Sequence, residues 1–336
     1  MRIVEPSVTL LRSGYENPSE FYTPEQFIEL VGRTCYKSEE KITPESAPKF
    51  VRNLILREHG AMVEHWTMIF LAKDEDTFEM IQEDWFRNII PWNDEYVPTA
   101  DDAFMPKIRF TWDNDRGVIS GSVRAWRDWV RFHLRNPDPD TRYVPSFLTD
   151  VILCAPLFFE DLEWGPIKSH EKYTTWLTPI TVRDLEGDLE HYVHHDVTLK
   201  FICDRGVSHE LVRHRAAAFA QESTRYCNYA AGKYGREISV VRPSWCKPGS
   251  KAYELWQWSC ECNELKYMSL IDSGCAPQEA RAVLPNSLKT EVIVTGTIGH
   301  WKHFLGLRCG PEAQPDMREV ACMARDLLED EFARKI

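Results

Sequence analysis

Three arginines, a histidine and a serine crowd into residues 213–226, RHRAAAFAQESTRY, where Arg213, His214 and Arg215 are followed after seven residues by Ser223, then by Arg225 and Tyr226. Such groups, set among small apolar residues, are costly to bury unless something anionic or planar lies against them. The cluster therefore points to a ligand site, and guanidinium forks suit a phosphate or the edge of a heterocycle. VSHELVRHRAAAF carries a helical pattern and QESTRY reads as its exit into a turn. The forks are thus expected to project from a rigid helix and its adjoining loop.

The elements that position this cluster can be followed along the chain. Residues 24–33 open on a Thr-Pro helix start, and SAPKFVRNLILREHG forms a second amphipathic helix ending at Gly60. Residues 63–71 turn extended, and a second strand at 197–203 leads through Asp204, Arg205 and Gly206 into the arginine helix. Beyond Ser223 come a glycine-containing loop, the extended ISVVRP, and a long helix from about 252 to 272 with Leu255, Trp258, Cys262, Leu265 and Met268 on one side. Pro277 opens the QEARAVL helix, which stops at Pro285, and a polar amphipathic helix runs from Pro315 to about 333. One echo stands out: residues 118–127 (VISGSVRAWR) resemble 293–302 (IVTGTIGHWK), each reading strand, glycine, helix. A pair is too few for a repeat protein, and the echo is read as two copies of a common supersecondary unit.

Composition bounds the function. A chain of 336 residues, 43% hydrophobic and 27% charged, can bury a sizeable core. Its net charge of −12 argues against a polyanion binder as a whole. Ten cysteines without framework spacing read as reduced cytosolic thiols, and the absence of a leader or a bilayer-length apolar run implies a cytoplasmic protein without membrane contact. No GxGxxG or P-loop is present. His191, His194 and His195 could share a helix face as metal ligands do, but without HExxH they read as a core or solvated cluster, and no metal is expected.

The RHR, seven residues, Ser pattern resembles the signature of the flavin-dependent thymidylate synthases. Residues 57–65 (REHGAMVEH) resemble that family's GHxSVxEH segment, 32–38 (GRTCYKS) its ARxCYxS, 280–286 (ARAVLPN) its ARxVLP helix, and 295–308 (TGTIGHWKHFLGLR) its TxNxRxxxxFxxLR strand and helix, in the family's order. The resemblance implies an α+β fold, a mixed, largely antiparallel sheet flanked by helices. In shorter members one strand joins the EH segment to the arginine helix, so a single domain over 1–336 is expected, interrupted by a folded insert at about 72–196 that holds KIRFTW, a DNDRG turn and RAWRDWVRF.

The resemblance also implies chemistry: conversion of dUMP to dTMP with 5,10-methylenetetrahydrofolate, FAD and NADPH, in a homotetramer with shared active sites. Arg308 is expected at the uracil ring, where a permanently charged fork favours the N3-deprotonated form. Ser223, Arg225 and Arg281 are expected to clamp the nucleotide phosphate, with Glu210, Arg213 and Glu222 also on the dUMP side. Ala61, Glu64, Arg213, His214, Arg215, Gln221, Thr297 and His303 fall at flavin-contacting positions, and His59 and Tyr226 on the folate side. His59 equally suits a helix-end histidine, and Tyr226 an interface aromatic.

Departures qualify this transfer. TxNxR becomes Thr297 and Gly299, His303 replaces an asparagine, Glu312 a histidine and Ala218 a serine, while Glu210, where some members carry glutamine, would repel a phosphate unless turned away. The insert is expected to cover the flavin pocket or build a subunit interface, Ser122 and Arg124 supplying polar atoms. Three other readings stand beside this one: a different one-carbon group or a modified pyrimidine nucleotide, a nucleic-acid-binding module using the RHR helix, and a zinc hydrolase built on the histidines.

Overall fold

The computed structural model describes residues 1–12, 22–89, 108–113, 115–136, 144–164, 175–185 and 193–333. His191 and Asn114 of the DNDRG turn lie outside them. In chain order the elements are β1 (Arg2–Val4), β2 (Ser7–Arg12), α1 (Pro24–Tyr36), α2 (Ser46–Leu56), β3 (Thr67–Ala72), α3 (Glu75–Ile89), β4 (Ile108–Asp113), β5 (Arg116–Ser122), α4 (Val123–Arg135), α5 (Ser146–Cys154), β6 (Leu177–Ile180) and β7 (Asp196–Asp204). They continue as α6 (Arg205–Leu211), β8 (Ala218–Gln221), β9 (Ser239–Val241), α7 (Lys251–Asp272), α8 (Pro277–Ala280), β10 (Lys289–Thr297), α9 (Ile298–Arg308) and α10 (Pro315–Ala333). The fold is α+β, as expected. No helix among the described residues is long and apolar enough to cross a membrane.

Contacts divide the chain into two compact units: a terminal unit of Met1–Ser13, Leu30–Ile42 and Val197–Ile336, and a central unit of Gly14–Glu29 and Thr43–Asp196. In the terminal unit a four-stranded sheet has the order β2-β7-β10-β8, and β1 pairs in parallel with β9. β2 runs antiparallel to β7 with Ser7 opposite Ile202, and β8 antiparallel to β10 with Ala218 opposite Thr295. The interior strands β7 and β10 are buried along almost their whole length, which their β-branched and aliphatic runs permit. Behind β9 and β10, Cys260, Tyr267 and Met268 on the inner side of α7 pack with Tyr229, Ile238, Val240 and Leu288. Leu255, Trp258 and Leu265 lie on the outer side and are exposed.

The central unit holds a second four-stranded sheet, β4-β5-β3-β6, with every neighbouring pair antiparallel. Its core is aromatic. Trp126 stacks on Trp129 with centroids 5.5 Å apart and planes at 10°, while Phe70 and Trp85 meet this pair edge-on at 5.4 and 4.7 Å. Arg127 is buried beside them because Asp161 engages it with two bonds of 2.8 Å and the Phe158 carbonyl takes a third.

Three expected elements differ, one of them the QEARAVL helix, which is α-helical only to Ala280 and continues as a 3₁₀ turn over Arg281–Val283. The arginine helix ends at Leu211, so Arg213, His214 and Arg215 sit on successive turns and the alanine-rich run forms β8 instead of more helix. Alanine favours helix, but Ala218 and Ala220 gain almost complete burial against β10, and tertiary pairing overrides propensity. Residues 62–65 likewise make a short 3₁₀ turn before β3, instead of starting the strand at Val63.

Gly117 allows β5 to pass beneath two aromatic rings. A Cβ there would lie 2.6 Å from Phe78 and 2.9 Å from Trp112. Gly117→Ala is expected to destabilise the protein by ~1–3 kcal/mol through overpacking. Urea unfolding monitored by tryptophan fluorescence checks this; an unchanged midpoint would show that the rings yield freely.

Candidate active site

Arg308 closes α9, a helix that starts on the Thr297 hydroxyl, which accepts the His300 backbone N–H at 3.0 Å. The Arg308 fork is held from two sides: Nη1 donates to Glu210 Oε2 at 2.7 Å and Nε donates to His214 Nε2 at 2.9 Å. An arginine Nε always carries its proton, so His214 Nε2 is the acceptor and the imidazole proton resides on Nδ1. Burial, then the charge of Arg308 and that of His303, push the His214 pKa down to about 4. A neutral imidazole thus faces a permanent cation, with Phe304 packed edge-on at 4.9 Å to fix its plane. Glu210, the acid expected to repel a phosphate, is turned to Arg308 and neutralised there.

The Ser223 loop is fixed from below by charges. Glu222 is 3% exposed and accepts from Lys289 Nζ at 2.9 Å and the Tyr229 hydroxyl at 3.1 Å. Lys289 also pairs with Glu291, which in turn accepts from Lys37 Nζ at 2.8 Å. The backbone completes the anchorage: Glu222 N–H donates to the Glu291 carbonyl at 2.8 Å, and Ser223 N–H to the Cys35 carbonyl at 3.0 Å. Burial would raise the Glu291 pKa, but Lys289 and Lys37 hold it down at about 2. Gln221 points inward as well, its Nε2 donating to Ser208 Oγ at 2.8 Å and Thr290 Oγ1 at 3.2 Å.

Above this base the outward-facing residues gather. Arg225 Nε donates to Gln278 Oε1 at 3.3 Å, and Arg281, three residues after Gln278, is exposed as Arg225 is. Arg225 also lies over the Tyr226 ring at 5.5 Å, and Tyr226 meets Tyr36 of the GRTCYKS segment edge-on at 5.3 Å. Arg213, Arg215 and His303 are exposed.

In the central unit, Glu64 accepts from Arg124 Nη1, and Arg124 Nε lies 3.5 Å from Asp128. His59 and Gly60 line a cavity of about 230 Å³ with Glu58, Arg124, Asp128 and Arg131, and Ala61 is exposed at the start of the 3₁₀ turn. Of the two polar groups expected from the insert, Arg124 reaches the EH segment. The Ser122 hydroxyl instead accepts the Ala125 backbone N–H as the cap of α4. His194 is a core histidine, its Nδ1 2.7 Å from Ser120 Oγ and its Nε2 2.9 Å from Thr111 Oγ1. Among the described residues no cluster of three or more His, Cys, Asp or Glu could hold a metal.

The family profile described as thymidylate synthase complementing protein matches residues 169–332. A flavin-dependent thymidylate synthase of Pyrococcus furiosus is 32% identical over 176 residues, covering 48% of this chain and 70% of the relative. Those of Pyrococcus abyssi (33% identical; 53% of this chain, 69% of the relative) and Thermococcus kodakarensis (30%; 53% and 77%) are similarly matched. The chain belongs to the flavin-dependent thymidylate synthase family. Against that family's motifs, Lys37, Lys289 and Glu291 are the residues that sequence reasoning missed. Their signal was faint: Lys37 sits in the GRTCYKS segment, while Lys289 and Glu291 have the two-residue spacing of one strand face.

Lys289→Ala would leave Glu222 and Glu291 buried with less positive charge, at an expected cost of ~3 kcal/mol or more. The folded pKa of Glu291 lies below its ordinary 4.5, so its stabilisation is complete above that pH and is lost as pH falls toward 2. The stability difference between pH 7 and pH 3 should therefore shrink in the variant. Chemical denaturation at both pH values measures it; an unchanged difference would remove the network from this role.

Proposed function

We propose that this chain is a flavin-dependent thymidylate synthase that converts dUMP to dTMP, taking the one-carbon unit from 5,10-methylenetetrahydrofolate and using FAD and NADPH. The observation that carries the reading is the fork of Arg308, held by Glu210 and by a histidine kept neutral. A group so fixed stabilises negative charge on a uracil ring without moving or exchanging its own proton. His214 restrains the fork through its lone pair and adds no second positive charge. Arg225 and Arg281, with the Ser223 hydroxyl, bind the nucleotide phosphate through charge-assisted bonds. Glu222 acts beneath them, holding the loop in place.

The donor set fits a flavin dinucleotide: Arg213 and Arg215 present exposed guanidiniums on tight turns, the charge type that a diphosphate requires. FAD, when bound, supplies the hydride that completes the methyl group. Thr297 contributes by setting the start of α9, since its hydroxyl is committed to the cap. His303 lies on the exposed side of that helix, towards the flavin in this reading. His59, Ala61 and Glu64 contribute from the EH segment, and Tyr226 from the folate side. In this reading the enzyme works in the cytoplasm as a homotetramer with shared sites, and the insert at about 72–196 borders the flavin or an interface.

Arg308→Lys is expected to keep the fold and lower kcat by roughly 10²-fold, because a point charge cannot satisfy Glu210, His214 and the ring together. Steady-state dTMP formation tests this, and near-normal turnover would remove Arg308 from the chemistry. Removing Arg225 or Arg281 should weaken dUMP binding by ~1.5–3 kcal/mol while leaving deoxyuridine, which lacks the phosphate, unaffected. Calorimetric titration with both ligands decides; equal losses would assign these arginines elsewhere.

A further inference from the structure

The central unit repeats the terminal unit in more than sequence. Residues 65–72 (HWTMIFLA) align with 196–203 (DVTLKFIC), placing Thr67 with Thr198 and Phe70 with Phe201. Residues 118–129 (VISGSVRAWRDW) align with 293–304 (IVTGTIGHWKHF). The paired stretches occupy corresponding slots: β3 and β7 are interior strands beside β5 and β10, whose other neighbours are the edge strands β4 and β8. On the opposite edge β6 corresponds to β2, although β6 follows its unit's other strands in the chain and β2 precedes them.

The helix starts correspond as well, with one residue, Lys73, added between strand and cap in the central unit. Asp74 Oδ1 accepts the backbone N–H three residues on, at 2.9 Å, and Asp204 Oδ1 does the same at 2.7 Å. Ser122 and Thr297 cap α4 and α9 in the same way.

Counting from these caps locates the site. Ten residues after Asp74 stands Asp84, and ten after Asp204 stands His214. Eleven after Ser122 stands His133, and eleven after Thr297 stands Arg308; Trp129 and Phe304 likewise correspond. The three residues meet in both units. Asp84 Oδ2 lies 2.9 Å from His133 Nε2 and accepts from Trp129 Nε1 at 2.9 Å, as His214 accepts from Arg308 and packs on Phe304. Supersecondary likeness alone does not produce the same three-residue contact at the same distance from two caps.

We propose that the central unit is a degenerate second copy of the nucleotide-handling unit, and that each chain binds one pyrimidine nucleotide, in the terminal unit alone. The copy keeps what the fold needs: the threonine and phenylalanine of the inner strand, both caps, and the tryptophan that follows. It has lost what the chemistry needs. His133 stands for Arg308, Glu83, Asp84 and Trp85 stand where the terminal unit has Arg213, His214 and Arg215, and residues 86–107 contain no Ser-x-Arg. The Asp84, Trp129 and His133 cluster then serves to join α3 to α4.

The nucleotide's identity rests on the synthase reading, so the test has two arms. Calorimetric titration with dUMP is expected to give one site per chain, with Asp84→Asn and His133→Gln changing affinity by less than roughly twofold and Arg225→Ala weakening it at least tenfold. Two sites per chain, or lost affinity in either central-unit variant, would overturn the proposal. The second arm needs no nucleotide. A crystal structure should superpose β3, β5 and α4 on β7, β10 and α9, bringing Asp84, Trp129 and His133 onto His214, Phe304 and Arg308. A different strand order or separated triplets would overturn the duplication, whereas failure of wild-type protein to bind dUMP would overturn the synthase reading and leave this arm to decide.

Discussion

The ion-pair network of Lys289 with Glu222 and Glu291 is the constraint on which the terminal unit depends. Four segments far apart in sequence contribute to it: Lys37 just past α1, Lys200 in β7, Glu222 just past β8, and Lys289 with Glu291 in β10. Desolvating these groups is expensive, so the network adds little net stability compared with an apolar core. Its return is geometric. The carboxylates accept only when the lysines arrive from the right directions, and this fixes the loop that carries Ser223 and Arg225 relative to the strand beneath it.

A second constraint governs charge at Arg308. One face of the fork meets a carboxylate and the other a neutral imidazole, so the local balance is close to zero before any ligand arrives. Glu210 offsets the charge of Arg308, and a neutral His214 holds the fork in place without adding a second positive charge.

Much of this was legible in the sequence, because the signals were local. The Thr23, Pro24 and Gln26 start of α1, with its reciprocal bonds of 3.0 and 3.3 Å, needs only neighbours to be recognised. The limits of α7 and α10 were legible for the same reason, and the motifs located Arg308, Ser223, Arg225 and Arg281. What escaped depends on distant partners. The run after Leu211 is helical by composition and becomes β8 only because β10, some seventy residues later, offers an edge. Lys37 and Glu291 are 254 residues apart, and no spacing rule pairs them. The strand, glycine and helix echo was visible as letters; that both copies stand in the same sheet position was not.

The connection between β4 and β5 is very short, with Asp115 in the left-handed region at φ 61°. By contrast β8 reaches its partner β10 only after the whole of α7 and α8 has intervened. Loop closure favours near contacts, and synthesis from the N-terminus presents the central hairpin first. Two sheets of similar sequence in one polypeptide invite strands to exchange places. The tight hairpin works against this, because its short loop favours pairing of β5 with β4 over pairing with a strand distant in sequence.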